Sequence, residues 1–211
     1  MPLISKLYIA RVVKFTFMTF FDKTKIISVA LFLIVTGFNC SNSREYDVAI
    51  QSCKIATITG KVLQLPDKKC LVGAKLPIFE APDMNGAIVS NTSIKGKYSL
   101  INLWFLECPP CIEEMPTLSK INDLFGGKSL EVISICRNQK ADLNEFLKEN
   151  SLPYRVVPDG RKILEDIFQN PFGYPTNLLV DKNGKIIKVY RALVEGQKEY
   201  DDFMNDVKSN L

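Results

Sequence analysis

Residues 98–118 read YSLINLWFLECPPCIEEMPTL, and the fold turns on this stretch. Tyr98–Phe105 is a continuous apolar run, the pattern of a strand buried on both faces. From Pro109 to Phe125 the period changes: Ile112, Met115, Leu118 and Ile121 recur at helical spacing. At the junction stands Cys108-Pro-Pro-Cys111. A C-x-x-C where a buried strand meets a helix favours redox chemistry, because the spacing lets the two sulfurs close a small ring. The helix start directs its dipole and free N–H groups at the first sulfur, stabilising Cys108 as a thiolate. Cys111, one turn in, is shielded and suits the resolving role. Pro109 and Pro110 fit the first helical positions, whose N–H groups lack helical partners anyway. They also remove two donors from beside the thiolate.

The same motif could be half of a zinc site or a purely structural bridge. Zinc needs two more ligands, and the chain has no histidine and no second C-x-x-C. A structural disulfide over so short a loop would constrain little unfolded-chain entropy. The absence of histidine also excludes Ser-His-Asp and Cys-His catalysis. No metal and no cofactor is expected.

The 211 residues carry a formal net charge of +4. Lys6, Arg11, Lys14, Lys23 and Lys25 against Asp22 account for it, leaving residues 41–211 with as many acids as bases. The basic balance therefore marks the N-terminus and not a nucleic-acid-binding face. Ile26–Phe38 is an apolar run of thirteen residues behind Lys23 and Lys25, too short to span a bilayer and right for a signal-peptide core. A conventional signal would begin at Met18. Cys40 follows at once, before the polar stretch SNSREYD, and this resembles a bacterial lipoprotein signal with Cys40 as the lipidated residue. An oxidising cell-envelope or periplasmic setting follows, membrane-anchored at Cys40 or by the signal segment.

Residues 1–40 are thus read as targeting segment, 41–74 as tether and N-terminal extension, and 75–211 as the folded domain. Within 41–74, residues 41–53 read as a tether and Ile55–Leu63 as a strand. Asp83-Met-Asn-Gly86 marks a hairpin within Lys75–Ser90. Strands are predicted at Ser129–Cys136, Asn177–Val180 and Lys185–Tyr190, a short extended piece at Tyr154–Val157, and helices at Ala141–Asn150, Arg161–Phe168 and Gly196–Asn210. That order makes an α/β fold with a mixed sheet. Cys136 is read as a packed thiol, and Cys53 with Cys70 as either a disulfide or two thiols.

These motifs together resemble the thioredoxin superfamily, in its extracytoplasmic TlpA/ResA-like, AhpC/TSA-related branch. The matching residues are Leu76-Pro-Ile-Phe79, Asn85-Gly86, Ser93-Ile-Lys-Gly96-Lys97, the cysteine motif, Glu113-Glu-Met-Pro116 and Gly173-Tyr-Pro-Thr176 before NLLVDKNGKI. The resemblance spans about 75–210. It implies a thioredoxin-like fold, a mixed central sheet flanked by helices, with an N-terminal β-hairpin extension. It further implies a thiol-disulfide oxidoreductase whose partners are disulfide- or dithiol-containing exported proteins and a redox partner. Cys108 and Cys111 would form the redox-active disulfide, and Glu114 would take the resolving thiol's proton. A cis Pro175 would expose the Tyr174 backbone to substrate, with Trp104 packed beside the motif as a further substrate-side residue. A peroxidase, or a thioredoxin-fold lipoprotein that only binds, are the competing functions. Glu107 departs from the family, which commonly has an aromatic residue there, and a carboxylate beside Cys108 opposes its ionisation.

Overall fold

The computed structural model describes residues 40–55, 66–127 and 129–210. The targeting segment and most of the predicted Ile55–Leu63 strand lie outside these residues. Where a tether was expected there is a helix, α1, Cys40–Ile55. Its sequence is mostly polar, yet Tyr46, Ile50 and Cys53 stand four and three residues apart and are buried. That spacing lines one helical face. The Tyr46 hydroxyl donates to the Phe168 carbonyl (2.8 Å), and Cys53 is bonded to Cys70 in a short 3-10 turn, Lys68–Leu71.

The hairpin forms as the sequence predicts, from β1 (Glu80–Pro82) and β2 (Ile88–Ser90). Asp83 closes the turn by accepting from the N–H groups of Asn85 and Ala87, both at 3.0 Å. Gly86 takes a φ of 84°, which a side chain would resist. Arg155 Nε donates to the buried Asp83 carboxylate at 2.9 Å, tying the hairpin to the sheet.

That sheet has five strands in the order β5-β4-β3-β6-β7. β3 (Tyr98–Trp104) lies at its centre, parallel to β4 (Leu130–Cys136) and antiparallel to β6 (Thr176–Val180). β5 (Arg155–Val157) and β7 (Ile186–Tyr190) complete the two edges. Both edges are covered: Met84 N–H donates to the Val156 carbonyl of β5, while Gly73 and Ala74 pair with Ile186 beside β7. Exposed edges would otherwise invite pairing with other chains.

Strand side chains alternate, so each face of the sheet has its own core. Ile101, Leu103, Ile133, Ile135 and Leu178 pack with α1, Phe79, Ile94 and Phe168. Leu100, Trp104, Val132, Cys136 and Leu179 pack with α2 (Pro109–Phe125), α3 (Lys140–Glu149) and α4 (Lys198–Asn210). Arg161–Phe168, predicted as an ordinary helix, is a π-helical turn at Ile163–Ile167, with Phe168 N–H reaching the Ile163 carbonyl. This widened turn carries Phe168 into the core beneath α1, where it meets Tyr46 and Phe79 edge-on.

Because α1 is largely polar, its helix depends on docking and on the Cys53–Cys70 bond. Closing a loop of this length constrains the unfolded chain by about 3 kcal/mol. A Cys53→Ala/Cys70→Ala variant should therefore lose about 2–4 kcal/mol in urea unfolding and gain amide exchange along α1. An unchanged midpoint would show that packing alone holds the helix.

Candidate active site

Cys108 ends the loop after β3 and is the N-terminal cap of α2, and it is bonded to Cys111 with Cα atoms 5.2 Å apart. The two prolines have no N–H, and the N–H groups of Cys111 and Ile112 both donate to the Cys108 carbonyl, at 3.0 and 3.2 Å. The helix start thus offers the sulfur its dipole but no free donor, a correction to the expected set of N–H groups. The exposure expected of Cys108 is also small: 4 %, against 1 % for Cys111. In the disulfide form both sulfurs belong to the core cluster on the α2 face.

Behind the disulfide lies a polar row that the sequence reading missed. Ser134, Asn102 and Asn177 occupy paired positions on β4, β3 and β6 and are all buried. Ser134 Oγ donates to Asn102 Oδ1 (3.0 Å), and Asn102 Nδ2 donates to Asn177 Oδ1 (3.0 Å). Above them sits Glu114 from α2, fully buried. Its Oε1 accepts from Asn102 Nδ2 (2.7 Å), and its Oε2 from Asn177 Nδ2 (2.8 Å) and the Leu193 N–H (2.8 Å). Burial pushes the carboxyl up while these three donors pull it down, and the balance leaves it at about 7. A group poised there exchanges protons readily near neutrality. Glu114 follows Cys111 by three residues on the same helix, so the two project from one side. Glu113, its neighbour, is not buried.

The Tyr174-Pro175 bond is cis, as expected, at the entrance to β6. Tyr174 is half-buried and meets the Phe105 ring edge-on at 5.3 Å, and the Arg137 guanidinium lies 4.3 Å from the centre of that ring. These aromatic contacts bring the cis-proline loop against the loop that leads to Cys108. Trp104 packs beside the motif, as expected, but on the core side and not towards substrate. It is 1 % exposed, packs against Phe146 and shares the core cluster of the two cysteines, so it supports the disulfide from inside and is closed to substrate. Cys136 is the packed thiol expected, with burial pushing it up to about 12.

The Glu107 carboxylate is not free beside the sulfur. Asn138 Nδ2 donates to both of its oxygens (3.0 and 3.2 Å), and this bond holds its carboxyl below the usual range. Asn102, Asn177, Ser134 and Asn138 are the residues that sequence reasoning overlooked. The signal was present for two of them: an asparagine interrupts the apolar run of β3, and another opens the run of β6.

Because Glu114 is raised from its ordinary value, the folded state holds a proton that the unfolded chain releases earlier. Its contribution to stability is complete below about pH 4.5 and is lost as pH rises towards 7. Glu114→Gln should flatten unfolding stability between those values and remove a titration near 7 from the rate at which Cys111 resolves a mixed disulfide. Identical pH profiles in both proteins would rule Glu114 out of the proton path.

The AhpC/TSA family model matches residues 72–198. The thiol-disulfide oxidoreductase ResA of Bacillus cereus (strain ZK / E33L) is 29 % identical over 123 residues, covering 57 % of this chain and 70 % of that protein. ResA of Bacillus subtilis (strain 168) is 28 % identical over 138 residues, covering 64 % and 75 %. Among solved structures, a putative thioredoxin from Neisseria meningitidis is 30 % identical with a TM-score of 0.55, covering 64 % of this chain and 88 % of that one. A putative thiol:disulfide interchange protein DsbE from Chlorobium tepidum shares the fold at a TM-score of 0.59 and 20 % identity, covering 66 % and 98 %. The chain belongs to the AhpC/TSA family, in which it is a thiol-disulfide oxidoreductase of thioredoxin-like fold.

Proposed function

We propose that this protein reduces or exchanges disulfides of exported proteins in the bacterial cell envelope through Cys108 and Cys111. The observation that carries the reading is the Cys108–Cys111 disulfide at the start of α2, with Glu114 poised near 7 one turn further on. In the reducing direction the Cys108 thiolate attacks a substrate disulfide, forming a mixed disulfide and releasing one substrate thiolate. Cys111 then yields its proton to Glu114 and attacks Cys108 Sγ. The second substrate sulfur leaves as a thiolate, both substrate sulfurs collect protons, and the enzyme is left oxidised. Two electrons pass from the enzyme to the substrate, and the redox partner restores the dithiol. Tyr174 and Pro175 would receive the substrate as an extended strand beside the disulfide.

A Cys111→Ser variant should accumulate mixed disulfides with disulfide-containing partners, whereas Cys108→Ser should trap none. Insulin-disulfide reduction should be lost in both, while hydroperoxide turnover should be negligible in the parent protein. Trapping through Cys111 would reverse the roles. Rapid peroxide turnover would favour the peroxidase.

The envelope setting rests on the basic-then-apolar N-terminal sequence and on the second disulfide, Cys53–Cys70, which an oxidising compartment sustains. Cys40 is the proposed lipid-bearing residue. The mature protein should fractionate with membranes and carry an acyl mass on its N-terminal peptide, and Cys40→Ser should lose that mass. An unmodified Cys40 in the membrane fraction would leave the signal segment itself as the anchor.

A further inference from the structure

Glu107 immediately precedes the proposed attacking cysteine, and an anion at that position would oppose the thiolate if its side chain swung freely. Glu107 is exposed to solvent, so burial does not hold it in place. One side chain restrains it. Asn138, in the loop after β4, turns its Nδ2 to both Glu107 oxygens and its Oδ1 to the Leu106 N–H, which it accepts at 2.9 Å. Asn138 is itself fixed by the backbone on either side. Its carbonyl accepts from Asp159 N–H (2.9 Å), and the preceding Arg137 N–H donates to the Trp104 carbonyl (3.0 Å). The charge held there is felt on the β4 side, where Glu107 raises the buried Cys136 thiol and Arg137 attracts the carboxylate.

We propose that Asn138 is a positioning residue for the redox pair, drawing the Glu107 carboxylate onto the loop after β4 and away from the sulfur of Cys108. The amide does two things at once. Its oxygen fixes the backbone of Leu106, and its nitrogen fixes the charge of the next residue. With the carboxylate so held, Cys108 keeps the benefit of the α2 dipole, which the prolines leave as its chief support. Arg137 on the same loop, Asp142 in the first turn of α3, and Asp159, whose N–H reaches the Asn138 carbonyl and whose carboxylate accepts from the Lys140 N–H, are further charged groups at this corner. All of them remain in every variant below. The proposal rests on Cys108 being the attacking thiol.

The test is the alkylation rate of the reduced full-length protein against pH, with the labelled cysteine identified by peptide mapping. Asn138→Ala should lower the reactive Cys108 fraction at pH 7 about threefold to tenfold, since one pKa unit is a tenfold change in thiolate. In a Glu107→Gln background the same substitution should change nothing. Where Asn138→Ala weakens the fold, Asn138→Asp keeps the acceptor for Leu106 N–H and repels Glu107. It should lower Cys108 reactivity more with Glu107 present than with Gln at that position. An unchanged or raised rate in the single Asn138 variants overturns the proposal, as does an equal fall in both backgrounds, which would mean Asn138 acts through the loop alone. Labelling of Cys111 in place of Cys108 in every variant overturns the role assignment of the two cysteines, and this proposal with it. Labelling of Cys108 at rates indifferent to Asn138 overturns this proposal only.

Discussion

A carboxylate placed in the middle of a protein is costly unless something answers its charge, and here three N–H donors from three separate segments answer Glu114. Asn102 comes from β3, Asn177 from β6 and Leu193 from the chain after β7. Their convergence fixes how α2 lies on the sheet, and α2 carries both cysteines. A shift of one strand by a single residue would turn each asparagine to the opposite face and leave the carboxylate stranded. Register, helix placement and the chemistry of the site are therefore one constraint.

Most of the architecture was legible because it depends on local pattern. The apolar runs of β3 and β4, the helical spacing after Pro109 and the turn at Asp83-Met-Asn-Gly86 each announce an element within a few residues. The mixed α/β sheet follows from the same succession of strands and helices, whereas the order of its strands rests on pairings distant in sequence. Helix α1 was not legible. Among its described side chains Tyr46, Ile50 and Cys53 are the buried ones, in a polar background, and what makes it a helix is contact with Phe168 and a bond to Cys70. The π-helical turn also escaped, since its wider winding serves to place Phe168 and shows no period of its own.

Within the site, the cysteines, Glu114 and the cis proline could be read because they sit in short contiguous motifs. The polar row could not. Ser134, Asn102 and Asn177 are 32 and 75 residues apart and become neighbours only through strand pairing. The core position of Trp104, by contrast, lay within reach of the strand pattern. Alternation along β3 puts it with Leu100, on the α2 side, inside the protein.

The two disulfides occupy opposite faces of the sheet, Cys53–Cys70 with the α1 core and Cys108–Cys111 with the α2 core. Exchange between a dithiol and a disulfide requires the sulfurs to touch in line. A protein that carries a reactive dithiol beside a structural bridge risks dismantling itself. The five-stranded sheet acts here as insulation: within one molecule the sulfurs of one pair cannot touch those of the other, so the dithiol cannot open the bridge that holds α1 on its own chain.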